Sequence, residues 1–323
     1  MPVLPDRPCS LVLLNPHAGG GRAARLHAPL RAALQRLADT GSDPAPQLVV
    51  APDLVATLAA LDALPGGSRV VLVGGDGTVN RLLPALLRGG HSLALVPAGS
   101  GNDTARALGV AGLPLEQALQ LALTQPSTPM DVGEAVFAPE STVNAVPGAV
   151  PSAQVPFVSS LTAGFDSSVG LRALNGPRWL RGLPRYLVAT LREWVALRQW
   201  PLRVLADGQL LHDGPLLFAS TLNTPTYASG MPVVPHAQTA DGRLDVLLTG
   251  PFGRVGTLAM LPLLLAGWHL RCPKVQACAF TRLELASPHA VPLAADGEFI
   301  GCARQVCVTV RPGALPVVRA PGA

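Results

Sequence analysis

The sequence predicts an α/β plus β architecture: an N-terminal doubly wound, Rossmann-like domain followed by a C-terminal antiparallel β-sandwich. Three observations carry this. The 323 residues suffice for two packed domains whose cores need no metal or disulfide. Over roughly the first 130 residues, short apolar runs alternate with turns and longer helix-compatible segments, the rhythm of a parallel sheet with crossover helices. After Met130 the apolar runs shorten and are separated by Pro and Gly, the texture of antiparallel strands. The first domain is therefore expected over residues 1–129, with 306–323 able to rejoin it, and the second over 130–305.

In order along the chain, runs at 11–14, 48–50, 70–73 and 93–96 read as parallel strands. Segments 23–37 and 54–64, rich in Ala, Leu and Arg with apolar residues three and four apart, read as the helices that cover them. In the second domain, runs at 157–162, 202–205, 216–222, 244–248, 279–285 and 306–310 read as strands. Segment 135–156, rich in Ala, Val and Pro, reads as a loop or strand-linked excursion. Residues 178–200 carry five Arg, one Glu, three Trp and Tyr186 among Leu, Val and Ala at helical spacing. That mixture suits a bilayer interface, and equally a core-facing helix whose Arg side chains snorkel to water. The longest uncharged stretch, 255–270, has 16 residues with Pro262 inside, short of the ~20 that span a bilayer, and reads as a core or interfacial helix.

Composition removes several classes. Net charge is +4, with 14% charged against 49% hydrophobic residues, which argues against disorder and for a soluble or peripherally attached globule. The single lysine, Lys274, lies outside any glycine-rich context, so a Gly-Lys-Ser/Thr phosphate loop is excluded. Five cysteines without paired spacing read as reduced, mostly buried small hydrophobes. The apolar run at 11–14 is cut by Asn15-Pro16, so no secretory signal is expected; the cytoplasm follows as the compartment, with room for peripheral attachment at the inner membrane face. Outside 178–200 no basic stripe interleaves with stacking aromatics, so nucleic acid is not expected as a partner. Exposed strand edges in a sandwich leave room for a homodimer.

The sharpest motif is residues 71–80, a buried-strand pattern that ends in Gly74, Gly75, Asp76 and Gly77 before Thr78 and Asn80 enter a helix. Glycines let backbone N–H groups converge on an anion and a helix start adds its positive dipole end, so phosphate is the expected guest. Two further segments stand at equivalent strand ends: Asn15 to Gly21, leading to Arg22 and Arg25, and Pro97 to Asp103, containing Gly99, Ser100, Asn102 and Asp103. Alone, each is an ordinary loop. Three together on the carboxyl edge of one parallel sheet mark a binding site.

These segments resemble those of the diacylglycerol kinase catalytic domain family, which includes bacterial lipid kinases and sphingosine kinases and has NAD kinases as distant relatives. The resemblance spans nearly the whole chain and rests on NPHAGG (15–20), GGDGTVN (74–80), PAGSGNDTAR (97–106), GMPVVPHAQTADGRLDV (230–246) and ADGEF (295–299). It implies an ATP-dependent kinase that phosphorylates a lipid hydroxyl, with Mg²⁺. It further implies that Asp76 and its glycines contact nucleotide phosphates and their Mg²⁺, that Asn15 and Asn80 line the same pocket, and that Ser100, Asn102 and Asp103 serve the nucleotide. Asp296 and Glu298 match the family's Asp-Gly-Glu, with Glu298 as catalytic base. Asp241, helped by Gln238 and the carbonyl of Arg243, matches a segment that binds a structural Mg²⁺.

Arg81, Ala18 and Ala51 depart from the family pattern on the nucleotide side. They motivate a non-catalytic nucleotide-binding relative as one alternative; an NAD kinase-like or small-alcohol kinase is the other. The chemistry of phosphoryl transfer, which needs positioned charge more than covalent catalysis, suits the same residues.

Overall fold

The computed structural model describes residues 9–39, 46–140, 152–176 and 183–322. They divide into two compact units: the described residues of Met1–Asp131, Ala228–Gly230 and Pro312–Ala323, and those of Val132–Tyr227 and Met231–Arg311.

The first unit begins with β1 (Cys9–Leu14), a 3₁₀ helix (Arg22–Leu26), α1 (His27–Asp39), β2 (Gln47–Val50), α2 (Leu54–Asp62) and β3 (Arg69–Gly74). It continues through α3 (Asp76–Gly89), β4 (Ser92–Pro97), α4 (Asp103–Ala107), α5 (Leu115–Thr124) and β5 (Ser127–Phe137), which leads into the second unit. The sheet is parallel, β2-β1-β3-β4, with Val70 opposite Leu93 and Gly74 opposite Pro97. Its central strands are apolar on both faces because helices cover both. On one face Val12, Val71, Val73 and Val96 pack with Leu30 of α1 and Leu119 of α5. The expected helix over 23–37 starts as 3₁₀ because three successive left-handed glycines, Gly19 to Gly21, feed its first turn. Asp53 caps α2 by accepting the Ala56 N–H at 2.8 Å, and Gly90 ends α3 in the left-handed region.

The second unit contains β6 (Ala153–Phe157), β7 (Ser160–Gly164), α6 (Phe165–Leu174), α7 (Leu183–Val195), β8 (Trp200–Ala206), β9 (Gln209–Leu216), β10 (Phe218–Leu222), β11 (Thr226–Tyr227) and β12 (Met231–Pro232). Then come β13 (Leu244–Thr249), α8 (Arg254–Leu265), β14 (Val275–Phe280), β15 (Arg282–Ala295) and β16 (Glu298–Val318). Antiparallel pairing gives the order β14-β13-β10-β7-β15, with β8 and β16 also on β15, β9 on β8, and β6 on β5. Phe157, Phe280, Leu283 and Leu293 centre a core drawn from alternate positions of these strands. The last residues of β16 belong to the first unit, where Val317 pairs with Leu93 of β4.

Three expected strands prove to be two each, broken at Val158-Ser159, Leu217 and Thr281. Helix α6 was not foreseen. Of segment 135–156, the ends lie in β5 and β6 and residues 141–151 fall outside the described residues. Of 178–200, residues 178–182 fall outside them; helix α7 occupies 183–195. Cys272, Cys278, Cys302 and Cys307 are free thiols but half-buried rather than buried, Cys278 and Cys272 packing at the margins of apolar clusters.

Candidate active site

In the first unit, the loops that follow β1, β3 and β4 meet at the carboxyl edge of the sheet. Asn15 donates its backbone N–H to the Val73 carbonyl at 3.1 Å and its side-chain amide to the Thr78 hydroxyl at 2.8 Å. Its side-chain oxygen accepts the His17 N–H at 3.0 Å. Two contacts explain why glycine is needed. A Cβ on Gly75 would stand 2.6 Å from the Gly99 Cα, and one on Gly99 would stand 2.6 Å from the Gly75 Cα. Gly19, in the left-handed region, leaves room for the Ala98 carbonyl, 2.6 Å from where its Cβ would lie.

The acids of these loops are held by backbone amides. Asp76 opens α3, and its carboxylate accepts the N–H groups of Asp103 at 3.0 Å and Thr104 at 2.9 Å, the first turn of α4. Asp103 is buried and accepts from Ser229 and Gly230 N–H, both at 2.8 Å, and from the Arg106 guanidinium at 2.9 Å. Ala228, Ser229 and Gly230 are three consecutive left-handed residues, and the last two turn their amides onto that carboxylate. Asn102, at φ 57°, closes its own loop by accepting the Gly99 N–H at 2.9 Å and donating to the Gly99 carbonyl at 3.0 Å. Ser100 is exposed and Asn80 half-buried. Arg81 is exposed on α3, whereas Ala18 and Ala51 are buried.

In the second unit, Asp296 and Gly297 form the two-residue turn joining β15 to β16, both with positive φ, and Glu298 begins β16 opposite Ala295. The Asp296 carboxylate accepts three amides: Val158 at 3.1 Å, Ser159 at 2.7 Å and Ser160 at 3.1 Å. From the other side Asn223 donates its side-chain amide to the Val158 carbonyl at 2.8 Å, fixing the corner between β6 and β7. Asp241 is exposed and accepts the Arg243 N–H at 3.0 Å; Gln238 is exposed too. Nearby, burial raises the Asp245 pKa, opposed by His236 and reinforced by Asp241.

Elsewhere in this unit Tyr227 donates to Asp166 at 2.5 Å. Burial pushes the Asp166 carboxyl up to about 6, with the Tyr227 hydrogen bond pulling the other way.

The first-unit edge fits a polyphosphate: the N–H groups of Asp76 and Gly77 have no acceptor within α3, as at any helix start, and Gly75 and Gly99 let two backbones approach where a Cβ would not fit. It fits a protein-caged metal less well. Among the described residues no three His, Cys, Asp or Glu side chains form a metal-holding group. A Mg²⁺ that keeps its waters and takes phosphate oxygens needs only one or two carboxylates. Sequence reasoning gave no role to Thr104, Arg106, Ser229 or Gly230; the first two lie inside the 97–106 motif, Gly230 opens the 230–246 motif, and Ser229 lies in none.

Residues 10–135 match the profile of the diacylglycerol kinase catalytic domain, and residues 159–319 that of the YegS C-terminal NAD kinase beta sandwich-like domain. A protein named diacylglycerol kinase from Mycobacterium tuberculosis is 29% identical over 309 residues, 95% of this chain and 94% of its own length. A probable YegS-like lipid kinase of Pseudomonas aeruginosa is 33% identical over 261 residues, 79% of this chain and 78% of its own. Among solved structures, a putative diacylglycerol kinase from Bacillus anthracis shares the fold at a TM-score of 0.69 and 18% identity, covering 97% of this chain and 95% of the other. Yeast NADH kinase does so at 0.51 and 10%, covering 96% and 83%.

Proposed function

The chain belongs to the lipid kinase family built on the diacylglycerol kinase catalytic domain, and from that membership we propose that it moves the γ-phosphoryl group of ATP to the hydroxyl of a diacylglycerol-like or sphingoid lipid. The observation that carries this reading is the backbone contact of Gly75 with Gly99, which brings the loops after β3 and β4 together beside the start of α3.

There the amides of Asp76 and Gly77 and the glycine run 19–21 receive phosphate oxygens, and the α3 dipole adds to their pull. Asn15 and Thr78, bonded at 2.8 Å, keep the first loop on the second. Asp76 positions α4, and Asp103 positions the Ser229-Gly230 turn. Mg²⁺ bound with ATP would neutralise phosphate oxygens, and Asp76 is the acid that would hold it. Asp241, with Gln238 and the Arg243 carbonyl, would hold a second such ion. Asp296 anchors the turn that carries Glu298, and Glu298 takes the proton of the acceptor hydroxyl. A lipid acceptor puts the work at a membrane surface, and no helix among the described residues is long and apolar enough to cross one.

Incubation with γ-labelled ATP and Mg²⁺, in separate arms with diacylglycerol micelles, a sphingoid base and NAD, tests the proposal by product mass. A phosphorylated lipid is expected. Product from NAD alone would defeat the lipid reading, and ATP binding by calorimetry without product in any arm would defeat the kinase reading.

A further inference from the structure

Helix α8 is made almost wholly of apolar residues, yet none of them is buried. Val255 is 82% exposed and Leu258 58%, with Leu261 and Leu265 continuing the stripe. Burial of such a face is worth roughly 25 cal/mol per Å², so leaving it in water is costly unless something covers it. Helix α7 repeats the pattern: Leu187, Leu191 and Val195, spaced four apart, are all exposed. The two helices are tied together. The Trp194 indole donates to the Arg254 carbonyl at 3.0 Å, and the Arg254 guanidinium donates to the Val195 carbonyl at 2.9 and 2.5 Å. Trp268, also exposed, follows α8.

Charge decides what covers this face. Residues 253–275 contain no Asp or Glu, while Arg254, Arg271 and Lys274 are exposed. On α7 Arg192 is exposed, and the single acid, Glu193, is buried and paired with Arg172. Arg271 lies over the Trp268 ring at 5.5 Å, holding a cation beside an interfacial aromatic. Two copies of the chain meeting through this face would oppose basic rim to basic rim. A leaflet rich in anionic phospholipid offers the complement: acyl chains for the leucines and phosphates for the bases.

We infer that α7, α8 and Trp268 form the surface by which this chain seats on an anionic phospholipid bilayer. The inference rests on the lipid-acceptor reading for its purpose, but its test does not. Vesicles of phosphatidylglycerol and phosphatidylcholine in equal parts should sediment the protein, and vesicles of phosphatidylcholine alone should do so far less. Binding should fall with salt. Removing two charges with Arg271→Gln and Lys274→Gln should weaken it about twentyfivefold, about fivefold per charge. Leu191→Asp with Leu258→Asp should abolish it.

Failure of the parent protein to bind anionic vesicles, or equal binding by both double variants, overturns the inference. So does a dimer in analytical ultracentrifugation that Leu191→Asp with Leu258→Asp dissolves, since the face would then belong to a second copy. Both double variants should turn over a short-chain diacylglycerol dispersed in water at the parent rate and lose only vesicle-embedded substrate. A parent protein that binds the vesicles but phosphorylates neither lipid leaves the docking face standing and defeats the kinase reading.

Discussion

Asp76 and Asp103 are linked in series: the Asp103 N–H donates to the Asp76 carboxylate at 3.0 Å, while the Asp103 carboxylate gathers the amides of Ser229 and Gly230. Three chain segments thus depend on two negative charges. Replacing Asp76 by Ala removes the acceptor for two amides at the start of α4 and should cost about 1–2 kcal/mol in urea unfolding, in addition to the loss of turnover. Asp76→Asn keeps one acceptor oxygen, so it should unfold closer to the parent while abolishing transfer. Parent-rate phosphorylation by Asp76→Asn would show that the charge is not needed at the site.

Gly99→Ala tests the packed glycines. The new methyl would lie 2.6 Å from the Gly75 Cα, so one of the two loops must move. Overpacking of this kind costs about 1–3 kcal/mol. Nucleotide affinity by calorimetry should fall with it. A Gly99→Ala variant that melts and binds like the parent would mean that the two loops slide apart freely.

Asp296 and Glu298 should separate cleanly. Asp296→Ala strands three amides and should cost about 3 kcal/mol or more in denaturant unfolding. Glu298→Gln keeps the size and polarity of the side chain, so it should cost less stability than Asp296→Ala while lowering kcat about 10²–10⁴-fold. The reverse pattern, a stable Asp296→Ala and an unfolded Glu298→Gln, would exchange their roles.

The raised carboxyl of Asp166 makes stability depend on pH. Its folded value of about 6 lies above the ordinary 3.8, so between these limits the folded chain binds the extra proton. Its stabilising contribution is full below about pH 4 and is lost as pH rises through about 6, on the order of 3 kcal/mol in all. Asp166→Asn should remove that slope from a series of urea melts between pH 4 and pH 8. Parallel curves for parent and variant would mean that Asp166 is ionised throughout.

Much of the first unit was legible because its central strands are apolar on both faces, so β3 and β4 stand out as unbroken runs closed by glycine or proline. The same property hid the corners of the second unit. Val158, Ser159 and Leu217 are buried, so hydropathy runs straight through the turns that they make. The loops were legible as a set, but the duties of their acids were not: Asp103 meets Ser229 from 126 residues away, and Asp296 meets Ser159 from 137. Nothing in local pattern announces such a partner. Residues 255–270 were legible as a helix, but not that α8 would end at Leu265 or bury none of its side chains, because an apolar run reads the same whether or not anything packs on it.

The first unit is not a continuous stretch of chain. Its sheet takes Val317 beside Leu93, and the Gly313 amide reaches Asp131 across 182 residues. During synthesis β4 therefore emerges with one side unpaired and stays so until the whole intervening portion has been made. An unpaired strand is a template for the wrong neighbour. Folding of the amino-terminal half is thus timed by the far end of β16, and a fragment ending after β5 would carry an adhesive edge rather than a finished domain.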